Sequence, residues 1–363
     1  MSFKLTDHSH DIQLRKLLEN TPMPGAIEVS YCREPNFYHG VDVCGKLNQT
    51  IIYEKDNIVQ SMACRYIKPM FINGEVKNFG YLSGLRISAD YRKGVILGKG
   101  YNELKNLHSD KKTPGYISTI IENNLPASNI LESGRATLPK YKDIGKYYVY
   151  MVFFNRFIKH KRNKCEILDN NKVSLNRIID FINRYGPERQ FFPYYQECDF
   201  MSNYTRDFNT KDFLVAVDNS EILGVIGIWD QQKFKQNVIS NYNGIYSYAM
   251  PFINSCSSVL GFRSFPKQKE AVQSFIISFI CIKNNNTFIL TELLKAAYRK
   301  KLNETYHGFL IGFHERDPLR ESITNFIFTT YISRAYLVYW KDGSDFCEKY
   351  VDNRIPYFEL GTL

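Results

Sequence analysis

The hydrophobic positions of this chain follow two rhythms. A helical period of about 3.6 residues marks Asp11–Glu19, closed by the turn Thr21-Pro22-Met23-Pro24-Gly25, and Val95–Leu107, where Leu97, Tyr101, Leu104 and Leu107 share a face. Alternation or short unbroken apolar runs mark strands at Ala26–Tyr31, Thr50–Glu54, Asn57–Lys68, Phe79–Ile87, Tyr116–Ile121 and Tyr147–Phe154. Lys55-Asp56 reads as a tight turn, and Asn73-Gly74 is a strong hairpin signal. A short helix, Leu125–Glu132, stops at Gly134. These elements predict a mixed sheet with helices on its faces.

The basic stretch Arg156–Lys164 and then Asp169-Asn170-Asn171 interrupt this pattern. The order then partly repeats. A helix at Ser174–Tyr185 carries Leu175, Ile178, Ile179 and Ile182 on one side, and a hairpin joins Phe213–Val217 to Ile222–Trp229 around Asp218-Asn219. A strand at Ser274–Ile282, a helix at Thr287–Lys300 and a strand at His307–Phe313 follow, then a short helix at Leu319–Phe326 and a last strand at Ala335–Trp340. Each half thus reads hairpin, strand, helix, strand, helix, strand. The expected fold class is α+β, an α/β mixed sheet built twice, over residues 1–160 and 161–363, from copies that no longer share obvious identity. Gln231–Lys269 reads as an insertion without an assignable element.

Composition narrows the classes. The 26 Tyr and 26 Phe favour strands over helical bundles. No run of about 18 uncharged apolar residues occurs, so no membrane span is expected. The start, MSFKLTDHSHD, lacks a secretory apolar stretch, and a cytoplasmic location is expected. Eight scattered Cys form no CxxC pair and stand near no ligand-spaced His, which reads as reduced core thiols and no metal site. The net charge of +10 suits a polyanion. A small polyanionic cofactor explains part of it as well as nucleic acid does, and without an aromatic-plus-basic RNA-reading signature nucleic acid ranks last. The dense cluster RFIKHKRNK at Arg156–Lys164 reads as a linker or turn.

The chemistry concentrates in two stretches. Leu82–Leu104, LSGLRISADYRKGVILGKGYNEL, is a strand, a polar turn, a basic glycine-bearing loop and a helix. Free backbone N–H groups and a helix N-terminus beside Arg92, Lys93 and Lys99 suit phosphate or pyrophosphate. Thr119–Pro139, TIIENNLPASNILESGRATLP, ends a strand at Asn123-Asn124 and starts another helix. Two strands ending side by side, each feeding a helix, make a cleft, which is the candidate active site.

These residues resemble the GNAT acetyltransferase superfamily. Ile87-Ser88-Ala89-Asp90-Tyr91-Arg92 looks like the common V-x-P-x-Y-R lead into that family's R/Q-x-x-G-x-G/A loop, and Asn124 with Ala127 matches its N-x-x-A element. The family's two small loop positions fall on Val95 and Leu97, whereas glycine stands at Gly94, Gly98 and Gly100, so the loop follows a shifted backbone path. Where many members place a Tyr that protonates the leaving thiolate, this chain has Leu131. The whole chain resembles a group of uncharacterised two-domain GNAT-like bacterial proteins, through Thr21–Gly25 with Arg33-Glu34-Pro35, Thr119–Pro139, Gly186–Phe192, Ile226–Lys235 and Ala296–Arg299. The resemblance implies a tandem GNAT-like acyl-CoA N-acyltransferase fold. The second copy is degenerate, because its loop equivalent, Ile280–Thr287, has neither glycine nor Arg.

The implied activity is transfer of an acetyl group from acetyl-CoA to a primary amine, on a small molecule or peptide, by direct attack. The cofactor-binding residues implied are Leu85, Arg86 and Ile87 on the strand, Arg92, Lys93, Gly94, Val95, Ile96, Leu97, Gly98 and Lys99 in the loop, and Asn124 and Ala127 across the cleft. A free alkyl amine has a pKa of about 10.4 and must lose a proton. Glu122, at the strand end opposite the loop, is the candidate base, or else a solvated strand-end carboxylate. Tyr141, near the lost Tyr position, is the candidate acid. Tyr81 reads as core or as orienting substrate, and His108 as surface. The clusters Phe191–Tyr195 and Trp229 near Phe234 read as interdomain packing rather than an acceptor wall. The alternative is a non-catalytic acyl-CoA-binding or sensory protein, prompted by the missing Tyr and the displaced glycines.

Overall fold

Turn chemistry sets the first ladder. Asp56-Asn57 (φ 52° and 59°) and Asn73-Gly74 (φ 53° and 87°) place both central residues in the left-handed region, as two-residue hairpin turns demand. In this computed structural model, which describes residues 3–92, 95–135, 138–160, 165–169 and 172–363, the first half runs β1 (Phe3–Leu5), α1 (Asp11–Glu19), β2 (Ile27–Cys32), α2 (Phe37–Asp42), β3 (Leu47–Lys55), β4 (Ile58–Ile72), β5 (Glu75–Ile87), α3 (Ile96–His108), β6 (Tyr116–Ile121), α4 (Leu125–Leu131) and β7 (Lys140–Phe153). The second half runs β8 (Glu166–Asp169), α5 (Leu175–Tyr185), β9 (Phe192–Pro193), β10 (Phe213–Asp218), β11 (Glu221–Trp229), β12 (Gln236–Tyr242), α6 (Ile245–Ser257), β13 (Ser274–Ile282), α7 (Thr287–Lys301), β14 (Gly308–His314) and β15 (Phe328–Tyr339).

Several expectations need correction. The turn expected at Lys55-Asp56 lies one residue later, and the β10–β11 turn lies at Asn219-Ser220, because those pairs carry the positive φ. The strands expected at Asn57–Lys68, Phe79–Ile87, Tyr147–Phe154 and Ala335–Trp340 are longer, since ladder pairing with neighbours rather than apolar patterning sets their ends. Leu319–Phe326 is a 3₁₀ helix over Pro318–Asn325. The insertion Gln231–Lys269 supplies β12, which pairs with β2, and α6. His108 is buried and its ring hydrogen-bonds the Tyr116 hydroxyl at 2.8 Å. All eight thiols are free, but only Cys44, Cys64, Cys281 and Cys347 are core residues, and Cys198 is exposed. Part of the basic cluster, residues 161–164, and Asn170-Asn171 lie outside the described residues. Among the described residues no helix is long and apolar enough to cross a membrane.

Thirteen strands form one sheet in the order β1-β3-β4-β5-β6-β15-β7-β14-β13-β11-β10-β8, with β9 attached to β4. The halves exchange their last strands. β7 pairs with β14 of the second half, and β15 inserts between β6 and β7. The sheet therefore continues through the chain's middle without an edge. One apolar cluster, with Tyr101, Leu104, Tyr336 and Trp340, packs under α3 and α4, and a larger one fills the rest of the interior.

The same irregularity occurs twice. β5 and β6 run parallel for two pairs, Gly80↔Tyr116 and Tyr81↔Ile117, and then part. β13 and β14 do so after Ser274↔Gly308, Phe275↔Phe309 and Ile276↔Leu310. The strand beside each parting carries a bulge. Gly84 and Leu85 together oppose Ala63, and Phe279 and Ile280 together oppose Ile226. The first bulge residue has positive φ in both, 65° at Gly84 and 55° at Phe279.

Candidate active site

Where β5 and β6 part, a cavity of about 340 Å³ opens, lined from both faces of the sheet. Tyr101 and Leu104 of α3 and Ala127 and Leu131 of α4 wall one face, and Phe37 and Val41 of α2 belong to the other. Gly84, Leu85 and Arg86 of the bulged strand lie between. A bulge leaves backbone groups outside the ladder, free for another partner. Glycine suits this position: φ is 65°, and a Cβ would stand 2.9 Å from Cys64 Sγ.

The expected phosphate loop is partly helix. α3 begins at Ile96 with Val95 as its cap residue and no side-chain cap, and the Lys99 N–H already donates to Val95 O at 3.0 Å. Gly98 sits in the first helical turn rather than in a loop. The first N–H groups of a helix lack intrahelical acceptors, so those of Ile96, Leu97 and Gly98 are available there. Arg92 and Lys99 are exposed, and Arg92 Nε reaches Ile87 O at 3.4 Å. Ile87 is bound into the ladder opposite Ser61. Lys93 and Gly94 lie outside the described residues.

Asn124 caps α4, its Oδ1 accepting the Ala127 N–H at 3.4 Å, which is the local reason for an Asn-x-x-Ala spacing. Both line the cavity. Tyr141 also lines it, hydroxyl to hydroxyl with Tyr101 at 2.6 Å, and burial pushes its phenol up to about 12. Tyr81 lines the opposite side, 3.4 Å from Thr119 Oγ1, with its phenol likewise pushed by burial to about 12. Glu122 is not among the cavity-lining residues. It follows Ile121, which is, and its carboxylate pairs with Lys146 Nζ at 2.7 Å.

Sequence reasoning gave no role to several residues that meet here. Arg33 follows β2, Lys235 precedes β12, and Tyr31 and Tyr331 come from β2 and β15. The stretches Arg33–Pro35 and Ile226–Lys235 carried part of the family resemblance, and that was their only signal. Lys235 Nζ donates to the Gly361 carbonyl at 3.2 Å and to the Leu363 oxygen at 3.1 Å, and burial pushes its amine down to about 8.

The second parting is filled by the chain itself. The Phe279 N–H donates to Glu359 Oε2 at 2.7 Å, and the Ile280 N–H to the Tyr357 hydroxyl at 3.1 Å. The tail over residues 357–363 thus occupies the gap. The aromatic clusters are packing. Phe191, Phe192, Tyr195, Trp229 and Phe234 are buried, and Trp229 stacks on Phe279 with centroids 5.6 Å apart. Among the described residues no group of three or more His, Cys, Asp or Glu is disposed to hold a metal ion.

No protein-family model matches the chain, and no curated protein does. Solved structures do match. Yeast (Saccharomyces cerevisiae) N-myristoyltransferase with bound myristoyl-CoA aligns with 93% of this chain and 78% of its own, at a TM-score of 0.60 and 10% identity. A conserved protein of unknown function from Enterococcus faecalis V583, described as a probable N-acyltransferase, aligns with 96% of this chain and 74% of its own, at 0.51 and 10%. The GCN5-related glucosamine N-acetyltransferase region of a fungal multi-domain GH3 β-N-acetylglucosaminidase aligns with 93% of this chain and 38% of that one, at 0.58 and 10%. Identity this low speaks for architecture, and the architecture of this chain is the tandem GNAT-type N-acyltransferase fold.

Proposed function

We propose that this protein is an acyl-CoA-dependent N-acyltransferase that passes an acetyl group from acetyl-CoA to a primary amine by direct attack. The observation that carries this reading is the cavity at the β5–β6 parting, with the Gly84 bulge in its wall. The second copy supports the role of that bulge. Its two bulge N–H groups hold a carboxylate oxygen and a hydroxyl, so the matching amides of Gly84 and Leu85 suit a thioester carbonyl on which negative charge develops. Fold neighbours that include a myristoyl-CoA complex support a CoA thioester donor.

When bound, acetyl-CoA supplies an activated acyl group on a thiol of pKa about 8.5, a tolerable leaving group. The amides of Val95–Gly98, with Arg92, Lys93, Gly94 and Lys99, would take its pyrophosphate. The backbone of Leu85, Arg86 and Ile87 would flank the pantetheine arm, with Asn124 and Ala127 across the cavity. Tyr141 stays protonated at neutral pH and is the residue available to protonate the thiolate.

The cavity itself promotes loss of the amine proton. Burial, with a smaller contribution from Arg33, drives the Lys235 amine down to about 8. A substrate amine in the same surroundings feels the same desolvation and like charge. Glu122 would act through water from beyond Ile121. Glu122→Gln should then slow turnover and leave acetyl-CoA affinity intact; unchanged turnover assigns deprotonation to the cavity field.

A second reading, a non-catalytic acyl-CoA sensor, is favoured by one observation: no Asp or Glu is among the described residues lining the cavity. Calorimetric titration with acetyl-CoA, followed by thiol-release assays over a panel of amines, tests both. Binding in the micromolar range that Gly84→Val or Gly98→Val abolishes, with thiol release, supports the enzyme. Binding without release for any amine supports the sensor. No binding overturns both.

A further inference from the structure

The side-chain charge of the cavity wall is one-sided, with no Asp or Glu among the described residues that line it. Arg33, Arg86 and Lys235 line it, and none of the residues outside the description is acidic. Lys235 has its acceptors on the tail. The two guanidiniums lack equivalent partners. Arg86 donates through Nη1 to the carbonyl of its neighbour Leu85 at 2.9 Å, and its Nε is buried without a hydrogen-bond partner. The groups acting on its charge are Tyr31, Arg33, Cys64 and Tyr81, none of them a carboxylate, and burial holds it below the usual guanidinium range. Arg33 donates to Cys32 O at 2.8 Å and lies 5.9 Å from the Tyr31 ring centroid.

Elsewhere this fold pairs its buried arginines. Arg65 makes a two-pronged contact with Asp110 at 2.9 and 2.8 Å, and Arg189 does the same with Asp317 at 2.7 and 3.0 Å. Arg33 is seated as deliberately as they are. Gly40 of α2 lies against its stem, and a Cβ there would stand 2.4 Å from Cδ and 2.7 Å from Nε. Removing a cation from water without a counter-charge is costly, and a ligand can supply the missing charge.

We infer that the acceptor amine itself carries an anionic oxygen group, a carboxylate or a phosphate, which Arg33 and Arg86 bind through charge-assisted hydrogen bonds. Arg86 stands two residues beyond Gly84, so an anion held there brings a short acceptor's amine to the bulge where acyl transfer is proposed. A cavity of about 340 Å³ shared with the acyl end suits an amino-acid-sized molecule. This inference rests on the acyltransferase reading for the word acceptor, and on the two guanidiniums for the site.

The test is calorimetry on the full chain without CoA. The probes are glycine, L-glutamate, 4-aminobutyrate and 2-aminoethyl phosphate, with n-butylamine and 1,4-diaminobutane as controls. At least one anionic amine should bind about tenfold or more tighter than both controls, and the winning probe distinguishes carboxylate from phosphate. Arg33→Gln and Arg86→Gln should each weaken it by about tenfold, Arg86→Lys should recover part, and melting temperature checks folding of each variant. Equal binding of the controls, survival of anion binding in both Gln variants, or no binding by any anionic probe overturns the inference. Acetyl-CoA titration runs alongside. Anionic amines that bind a protein indifferent to acetyl-CoA would leave the anion site standing and remove the donor reading; the converse would remove the anion site alone.

Discussion

Arg65 and Arg86 both stand on the strands beside the cavity, and they differ in what balances their charge. Arg65 is fully buried, with Asp110, Gln49 and the Tyr116 hydroxyl around its guanidinium. Asp110 lies just past the end of α3, so this pair pins to β4 the helix whose Tyr101 and Leu104 wall the cavity. Asp110→Ala leaves a buried cation unpaired and should cost about 3 kcal/mol in urea denaturation, the lower end for a broken buried pair because Asp110 is partly exposed. Acetyl-CoA affinity should fall with it. Gly84→Val combines a strained φ with a 2.9 Å contact to Cys64 and should cost about 1–3 kcal/mol. At this scale Asn124 and Ala127 were legible only through the family resemblance, and the structure adds that they meet in the α4 cap. The setting of Glu122 was not legible, because its partner Lys146 comes from another strand.

Among elements, the hairpins were readable from Asn and Gly, since left-handed turn positions restrict residue choice locally. α2 was missed. It is six residues long, contains Gly40, and its one clear signal is the Asn36 cap that accepts the Tyr38 N–H at 2.8 Å. The filling of the second parting was invisible for a different reason: Glu359 and Phe279 meet only in the folded chain. Glu359 Oε2 also accepts from the Tyr357 hydroxyl at 2.8 Å, and Oε1 from the Gly361 N–H at 3.2 Å. Glu359→Ala should therefore release the tail. Hydrogen exchange should quicken across residues 276–282 and 357–363, with a stability loss of about 2–4 kcal/mol by chemical denaturation. Unchanged exchange at Phe279 would show that the carboxylate does not hold the tail.

The whole molecule folds as one unit by this account. Because β15 completes the first half's sheet and β7 the second's, residues 1–160 alone would expose two long strand edges. That fragment should aggregate or stay unfolded unless the remainder is supplied, whereas the full chain should show a single unfolding midpoint by fluorescence and circular dichroism. Stability should also depend on pH through His108, His160, His307 and His314, whose pKa values burial lowers. The unfolded chain takes up protons near the ordinary value of about 6.5 while the fold still refuses them. Stability from these groups is complete above that value and is lost as pH falls below it, so the urea midpoint should be level near pH 7.5 and drop between about 6.5 and 5.

Sequence by itself determined the local units: α1, β6 and β13 to the residue, the hairpin turns to within one position, the start of α4 after Asn124, and the repeated order that marks two related halves. Those features depend on dihedral preference, periodicity and capping, which act over a few neighbouring residues. Only the tertiary structure decided that the last strands change places, that the tail fills the second parting, and that Arg33, Arg86 and Lys235 line one cavity with no Asp or Glu among its described lining residues. These are meetings of residues far apart along the chain, and they arise from the packing of the whole sheet, which no local stretch of sequence records.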